Sequence, residues 1–148
     1  MMRGAVDALR EAVPQKQRRP KLLAVTIVTS LDTEAMHAVG IPGAIKERAV
    51  HLARLARQSG LDGVVTSAHE ARAIRSACGR RFIILVPGVR PNLDGKRDDQ
   101  ARGATPAQAI RAGADYIVVG RPITAAQDPY AAAQAILEEI RRASSRRV

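Results

Sequence analysis

The chain has 148 residues, with 24 Lys plus Arg against 14 Asp plus Glu, a formal net charge of +10 and 46% hydrophobic residues. That length amounts to one domain and buries a real core, which excludes a disordered chain and a disulfide-stapled miniprotein. A lone cysteine, Cys78, excludes an internal disulfide and a cysteine-built zinc site, and it fits a reduced, cytoplasmic compartment.

In chain order, residues 1–13 read as a helix whose charges interrupt any signal-peptide core, and 14–20 as a polar connector. Nearly continuous apolar runs follow at 21–28, 63–66, 82–86 and 116–119. Runs without alternation predict strands buried on both faces, as a parallel sheet requires. All of them are far too short to span a bilayer, so no membrane partner is expected. Between 42 and 60, Ile45, Ala49, Leu52, Leu55 and Ala56 recur at helical spacing and predict one apolar stripe. Ser67-Ala68-His69-Glu70 and Thr105-Pro106-Ala107-Gln108 read as capping boxes, and Asp128-Pro129 opens a further helix. Gly60, Gly79 and Gly113 are expected to end helices in the left-handed conformation.

An internal repeat supports this layout. Gly60-Leu-Asp62-Gly-Val64-Val65-Thr-Ser67 aligns with Gly113-Ala-Asp115-Tyr-Ile117-Val118-Val-Gly120, an offset of 113 − 60 = 53. Helix, glycine, aspartate, strand is the unit of a βα architecture, in which functional groups collect at the carboxyl ends of the strands. Two of those ends fit an anion. The third strand runs into Pro87-Gly88-Val89-Arg90-Pro91 and the fourth into Gly120-Arg121-Pro122. Glycine lets backbone N–H groups approach a phosphate, and the adjacent guanidinium matches its oxygens. Alternatively, both glycines merely turn the chain and the arginines are solvated. The polar segment 91–103 lacks apolar periodicity and reads as a flexible flap, with Gln100 its natural ligand contact.

The remaining reactive residues carry less. His37, His51 and His69 share no metal-ligand spacing, so no metal site is expected. Cys78 has no neighbouring base, and Ser67 lacks a hydrolase setting and is explained as a cap. The cations are scattered along helices and only Phe82, Tyr116 and Tyr130 offer stacking faces, so specific nucleic-acid binding is not expected.

The strings LLAVTIVTS, GLDGVVTSAHEA, PGVRP, DDQAR before TP, and GADYIVVGRPIT resemble the bacterial orotidine 5'-phosphate decarboxylases. The resemblance covers essentially the whole chain but only the C-terminal half of the family's (β/α)8 barrel, so it implies a partial TIM barrel, residues 1–148 forming its last four βα units as one half-barrel domain. It implies conversion of orotidine 5'-monophosphate to uridine 5'-monophosphate and CO2 without cofactor, in a homodimeric full-length enzyme. By position it implies Thr29, with Ser30 second, at the pyrimidine end of the substrate, and Arg90, Gln100, Gly120 and Arg121 at the phosphate. The family's Asp-Lys-Asp catalytic set, written D-x-K-x-x-D, belongs to the other half. Asp94-Gly-Lys96-Arg-Asp98-Asp99 matches that pattern but follows no apolar strand, so no catalytic residue is assigned in this chain. Met1-Met2 looks like an internal family position read as a start, and the 148-residue form is expected to be a fragment inactive alone. The alternatives are another phosphate-binding barrel decarboxylase, or a non-catalytic basic binding module.

Overall fold

In the computed structural model, residues 1–14, 17–91 and 103–145 are described. Four strands, β1 (Leu23–Val25), β2 (Gly63–Val65), β3 (Ile83–Val86) and β4 (Tyr116–Ile117), form one parallel sheet in the order β1-β2-β3-β4. Among the described residues the helices are α1 (Met2–Ala12), α2 (Thr33–Ala38), α3 (Ile45–Gln58), α4 (Ala68–Cys78), α5 (Pro106–Ala112), α6 (Arg121–Thr124) and α7 (Pro129–Ser144). Helices α3, α4 and α5 pack successively on the sheet, with α7 behind α5, while Val6 of α1 lies over Gly60 at the end of α3.

One sheet face is the core. Val64, Ile84 and Val86 are essentially inaccessible beneath the helices, together with Ala49, Ala53, Ala56, Ala71 and Ile74. The other face is open at its margins. Val25, Val65, Leu85 and Tyr116 are register partners across all four strands, and the outer two are each 58% exposed. The expectation of strands covered on both faces therefore fails at β1 and β4, whose Val25 and Tyr116 side chains stay exposed on the second face among the described residues.

The two copies of the repeat fold alike where they enter the sheet. Asp62 donates its backbone N–H to the Leu22 carbonyl, and its carboxylate accepts the Leu22 N–H at 2.9 Å. Asp115 makes the same reciprocal pair with Ile84, the N–H to carboxylate bond being 2.8 Å. Each aspartate thus pins the strand before it. Arg19 forks onto both oxygens of Asp62 at 2.9 and 3.0 Å. Arg75 bonds Asp115 and also donates to the carbonyls of Gly79, Arg80, Phe82 and Gly113.

Helix ends need some correction. Thr105 and Gln108 complete the expected capping box, and Asp128 caps α7 through the Ala131 N–H. At α4 the box is different: Ser67 accepts the His69 N–H and donates its hydroxyl to the Glu70 carboxylate. Gly113 is left-handed, but Gly79 has φ 82° with ψ 174°, an extended turn that still favours glycine. Leu55, predicted within the apolar stripe of α3, is 37% exposed, while Ala53 is buried in its place. Close approach of α3 to α4 selects small side chains, so size outranks hydropathy there.

Candidate functional site

The chain leaves β3 through Pro87 and Gly88, whose φ of 70° requires a glycine-like backbone. Val89 then bridges Ala104, and the Arg90 N–H donates to the Ala104 carbonyl at 2.9 Å. The turn carrying Arg90 is therefore fixed to Ala104, two residues before α5. Beyond β4, Val118 donates its N–H to Val86, and the chain turns at Gly120 into α6. Parallel pairing of β3 with β4 sets these two turns side by side.

Between them lies a pocket of about 250 Å³ lined by Gly88, Val89, Arg90, Val118, Gly120, Arg121 and Pro122. Arg90 is half-buried and Arg121 exposed, so two arginines line the pocket together with Val89 and Val118. A Cβ built on Gly120 would meet nothing within 4 Å. The glycine thus leaves open space in the pocket instead of relieving a clash inside the protein. With only four residues, one of them Pro122 without an N–H, α6 adds little dipole. The two arginines carry the charge.

Of the residues singled out by sequence, Arg90, Gly120 and Arg121 meet in this pocket. Thr29 is buried, 7% exposed, beyond the carboxyl end of β1 and outside the pocket's lining, with Ser30 exposed beside it. Gln100, the Asp94-to-Asp99 pattern and all but the ends of the 91–103 flap lie outside the described residues. Sequence reasoning missed the burial of Glu70, the one charged side chain in the described core, because a cap already explained it. The lining residues Val89 and Val118 carry no sequence signal that separates them from ordinary strand residues.

The other candidates for chemistry are in structural roles. Burial raises the Cys78 thiol above the ordinary thiol range, although Arg57, Arg54 and Arg75 pull it the other way, so the thiolate is disfavoured. His37 sits against the Gly43 carbonyl at 3.1 Å, and His69 is exposed. No helix among the described residues is long and apolar enough to cross a membrane.

A parallel four-stranded sheet with an arginine-lined cleft at the carboxyl ends of adjacent strands places the chain in the α/β class, the class that includes the (β/α)8 barrels. The model of the orotidine 5'-phosphate decarboxylase / HUMPS family matches residues 1–136. The chain belongs to that family. It is 51% identical over 140 residues to an orotidine 5'-phosphate decarboxylase of Trichlorobacter lovleyi, covering 95% of this chain and 57% of the relative. It is 53% identical over 142 residues to the one of Moorella thermoacetica, covering 95% and 56%. Among solved structures, the orotidine 5'-phosphate decarboxylase of Lactobacillus acidophilus superposes with a TM-score of 0.77 at 36% identity, covering 95% of this chain and 58% of that one. The chain thus spans little more than half the length of these relatives, and its fold is part of a TIM barrel.

Proposed function

We propose that this chain carries the phosphate-holding part of an orotidine 5'-monophosphate decarboxylase, the last four βα units of its barrel. The reaction takes up one proton at the carbon that loses CO2 and yields uridine 5'-monophosphate. The observation that carries the reading is the pocket shared by Gly88-Val89-Arg90 and Gly120-Arg121. Two guanidinium forks match a phosphate dianion, and charge-assisted hydrogen bonds of this kind are the strong ones. Thr29 extends the reading from phosphate to nucleotide: β1 lies two strand spacings from β3, about 10 Å, the length scale of a nucleoside monophosphate. Gln100 is the proposed contact from the closing segment.

Phosphate contacts remote from the reacting carbon assist by stabilising a closed, desolvated complex. The proton donor is a different matter, because no described strand of this chain leads into a D-x-K-x-x-D segment. The homodimer of the full-length enzyme and its cytoplasmic location are proposals that rest on the resemblance and on the single cysteine.

Calorimetric titration of the 148-residue polypeptide with uridine 5'-monophosphate tests this. Saturable binding is expected, competed by inorganic phosphate and weakened at least about 10-fold in Arg121→Ala, the worth of one charge-assisted bond. Turnover of orotidine 5'-monophosphate by the same polypeptide is expected to be absent. Binding indifferent to both Arg90→Ala and Arg121→Ala sinks the phosphate assignment.

A further inference from the structure

A second cleft lies at the amino end of the sheet, opposite the pocket of Arg90 and Arg121. It is bounded by the turn from α3 into β2 and the turn from α4 into β3, so its walls belong to one continuous stretch, 57–82. Its volume is about 520 Å³, against about 250 Å³ for the first pocket. Cys78 and Phe82 are buried at its base, and Arg57, Arg80 and Arg81 stand exposed around it. The charge of these three arginines is not neutralised within the protein. None of them makes an ion pair or a side-chain hydrogen bond among the described residues, whereas Arg19 and Arg75 beside them make several. Asp62, the carboxylate on the cleft wall, is fully engaged elsewhere: Arg19 takes both oxygens, Lys21 one of them and the Leu22 N–H the other.

Nor do the helix ends call on them. The last carbonyls of α3 accept the Ser59, Gly60 and Leu61 N–H groups, and beyond α4 Arg75 donates to the carbonyls of Gly79, Arg80 and Phe82. Three like charges around one open cleft repel one another, and an anion seated among them relieves that repulsion. We propose that this cleft is a second anion site and that it takes an oligophosphate, a chain of two or three phosphoryl groups either free or carried on a nucleoside. Guanidinium forks match phosphoryl oxygens, and three of them on two walls suit several phosphoryl groups, where the first pocket offers two in half the volume. The site lies before β2 and β3, whereas the first pocket lies beyond β3 and β4, so the two ligands do not compete for space. The assignment does not rest on the proposed reaction.

The test is calorimetric titration with inorganic tripolyphosphate of the 148-residue polypeptide carrying Arg90→Ala and Arg121→Ala, which removes the charge of the first pocket. Saturable binding is expected, weakening as salt rises. Adding Arg80→Ala with Arg81→Ala is expected to weaken it at least about 10-fold, and Arg57→Ala on the other wall to weaken it similarly. Arg72→Ala, which removes an exposed charge of α4 outside the cleft, leaves it unchanged. The three cleft arginines are exposed and unpaired, so these variants keep the parent's urea midpoint and the loss is read on folded protein. Adenosine triphosphate binding as tightly as tripolyphosphate identifies the phosphate chain as the whole ligand, and tighter binding identifies a nucleoside carrier. Absence of saturable binding overturns the proposal. So does a loss in Arg72→Ala equal to that in the cleft variants, which would reduce the effect to net charge.

Discussion

The two copies of the repeat, 60–67 and 113–120, are built alike at one end of the sheet and differently at the other. At the amino end, Asp62 and Asp115 make the same reciprocal hydrogen-bond pair with the preceding strand and each takes an arginine. At the carboxyl end, β2 runs through Thr66 into Ser67, whose buried hydroxyl caps α4, whereas β4 runs into the exposed Gly120 and Arg121. The clamp fixes register, which every strand needs, so it recurs. The turn beyond the strand has no such duty, and there the second copy exchanges a helix cap for an open, cationic pocket. The register clamps are concentrated at one end of the sheet and the open, arginine-lined pocket at the other.

The sharpest break of the comparison is at Gly63, whose counterpart at the 53-residue offset is Tyr116. A Cβ on Gly63 would lie 2.2 Å from the Ile83 carbonyl oxygen and 2.6 Å from the Ile83 Cβ. Tyr116, on an edge strand, keeps a full side chain. Gly63→Ala is expected to cost about 3 kcal/mol or to prevent folding, since backbone must move to admit the methyl. Tyr116→Ala should cost less than half as much. Urea midpoints at fixed protein concentration measure both, and equal losses would show that the two copies are not differently constrained.

A smaller effect separates the aspartates. Burial alone would raise the Asp62 carboxyl, but the Leu22 amide, Arg19 and Lys21 outweigh it and hold the group below the usual carboxylate range. A native pKa below the unfolded value means that the stabilisation is complete above roughly pH 4 and drains away as pH falls through the lowered native value. Asp62→Asn is expected to lose about 2 kcal/mol at pH 7 and to flatten stability below pH 4. The Asp62 side chain is 11% exposed and that of Asp115 36%, so Asp115→Asn should cost less. Chemical denaturation from pH 7 to pH 3 reads both, and an unchanged acid limb in Asp62→Asn would remove the clamp as its source.

The sheet and the pocket were legible in the sequence for physical reasons, and the gaps have reasons too. Continuous apolar runs locate all four strands, but pairing is only as long as the neighbour allows. The run at 21–28 shortens to Leu23–Val25 against a three-residue β2, and 116–119 shortens to Tyr116–Ile117 at the edge. Helix α2 escaped notice because its six residues bury only Met36 and offer no periodicity. Arg90 and Arg121 were readable because each follows a strand and a glycine. Their shared pocket depends on β3 lying beside β4, which the order of elements implies but no single motif states.

The mildest test exchanges one residue of the first copy for its counterpart in the second, Thr66→Val, since position 119 is valine. Thr66 is 1% exposed and its hydroxyl has no hydrogen-bond partner among the described residues. Removing a buried, unpartnered hydroxyl while keeping the side chain's shape recovers its desolvation cost, so the variant is expected to be about 1 kcal/mol more stable. Thermal unfolding with uridine 5'-monophosphate binding measured alongside distinguishes two origins of the polar residue. A stabilised protein that binds as before marks Thr66 as a tolerated defect in a strand whose end need only start a helix. A variant that loses binding would instead extend the ligand site to β2, and the contrast between a structural and a chemical copy of the unit would no longer hold.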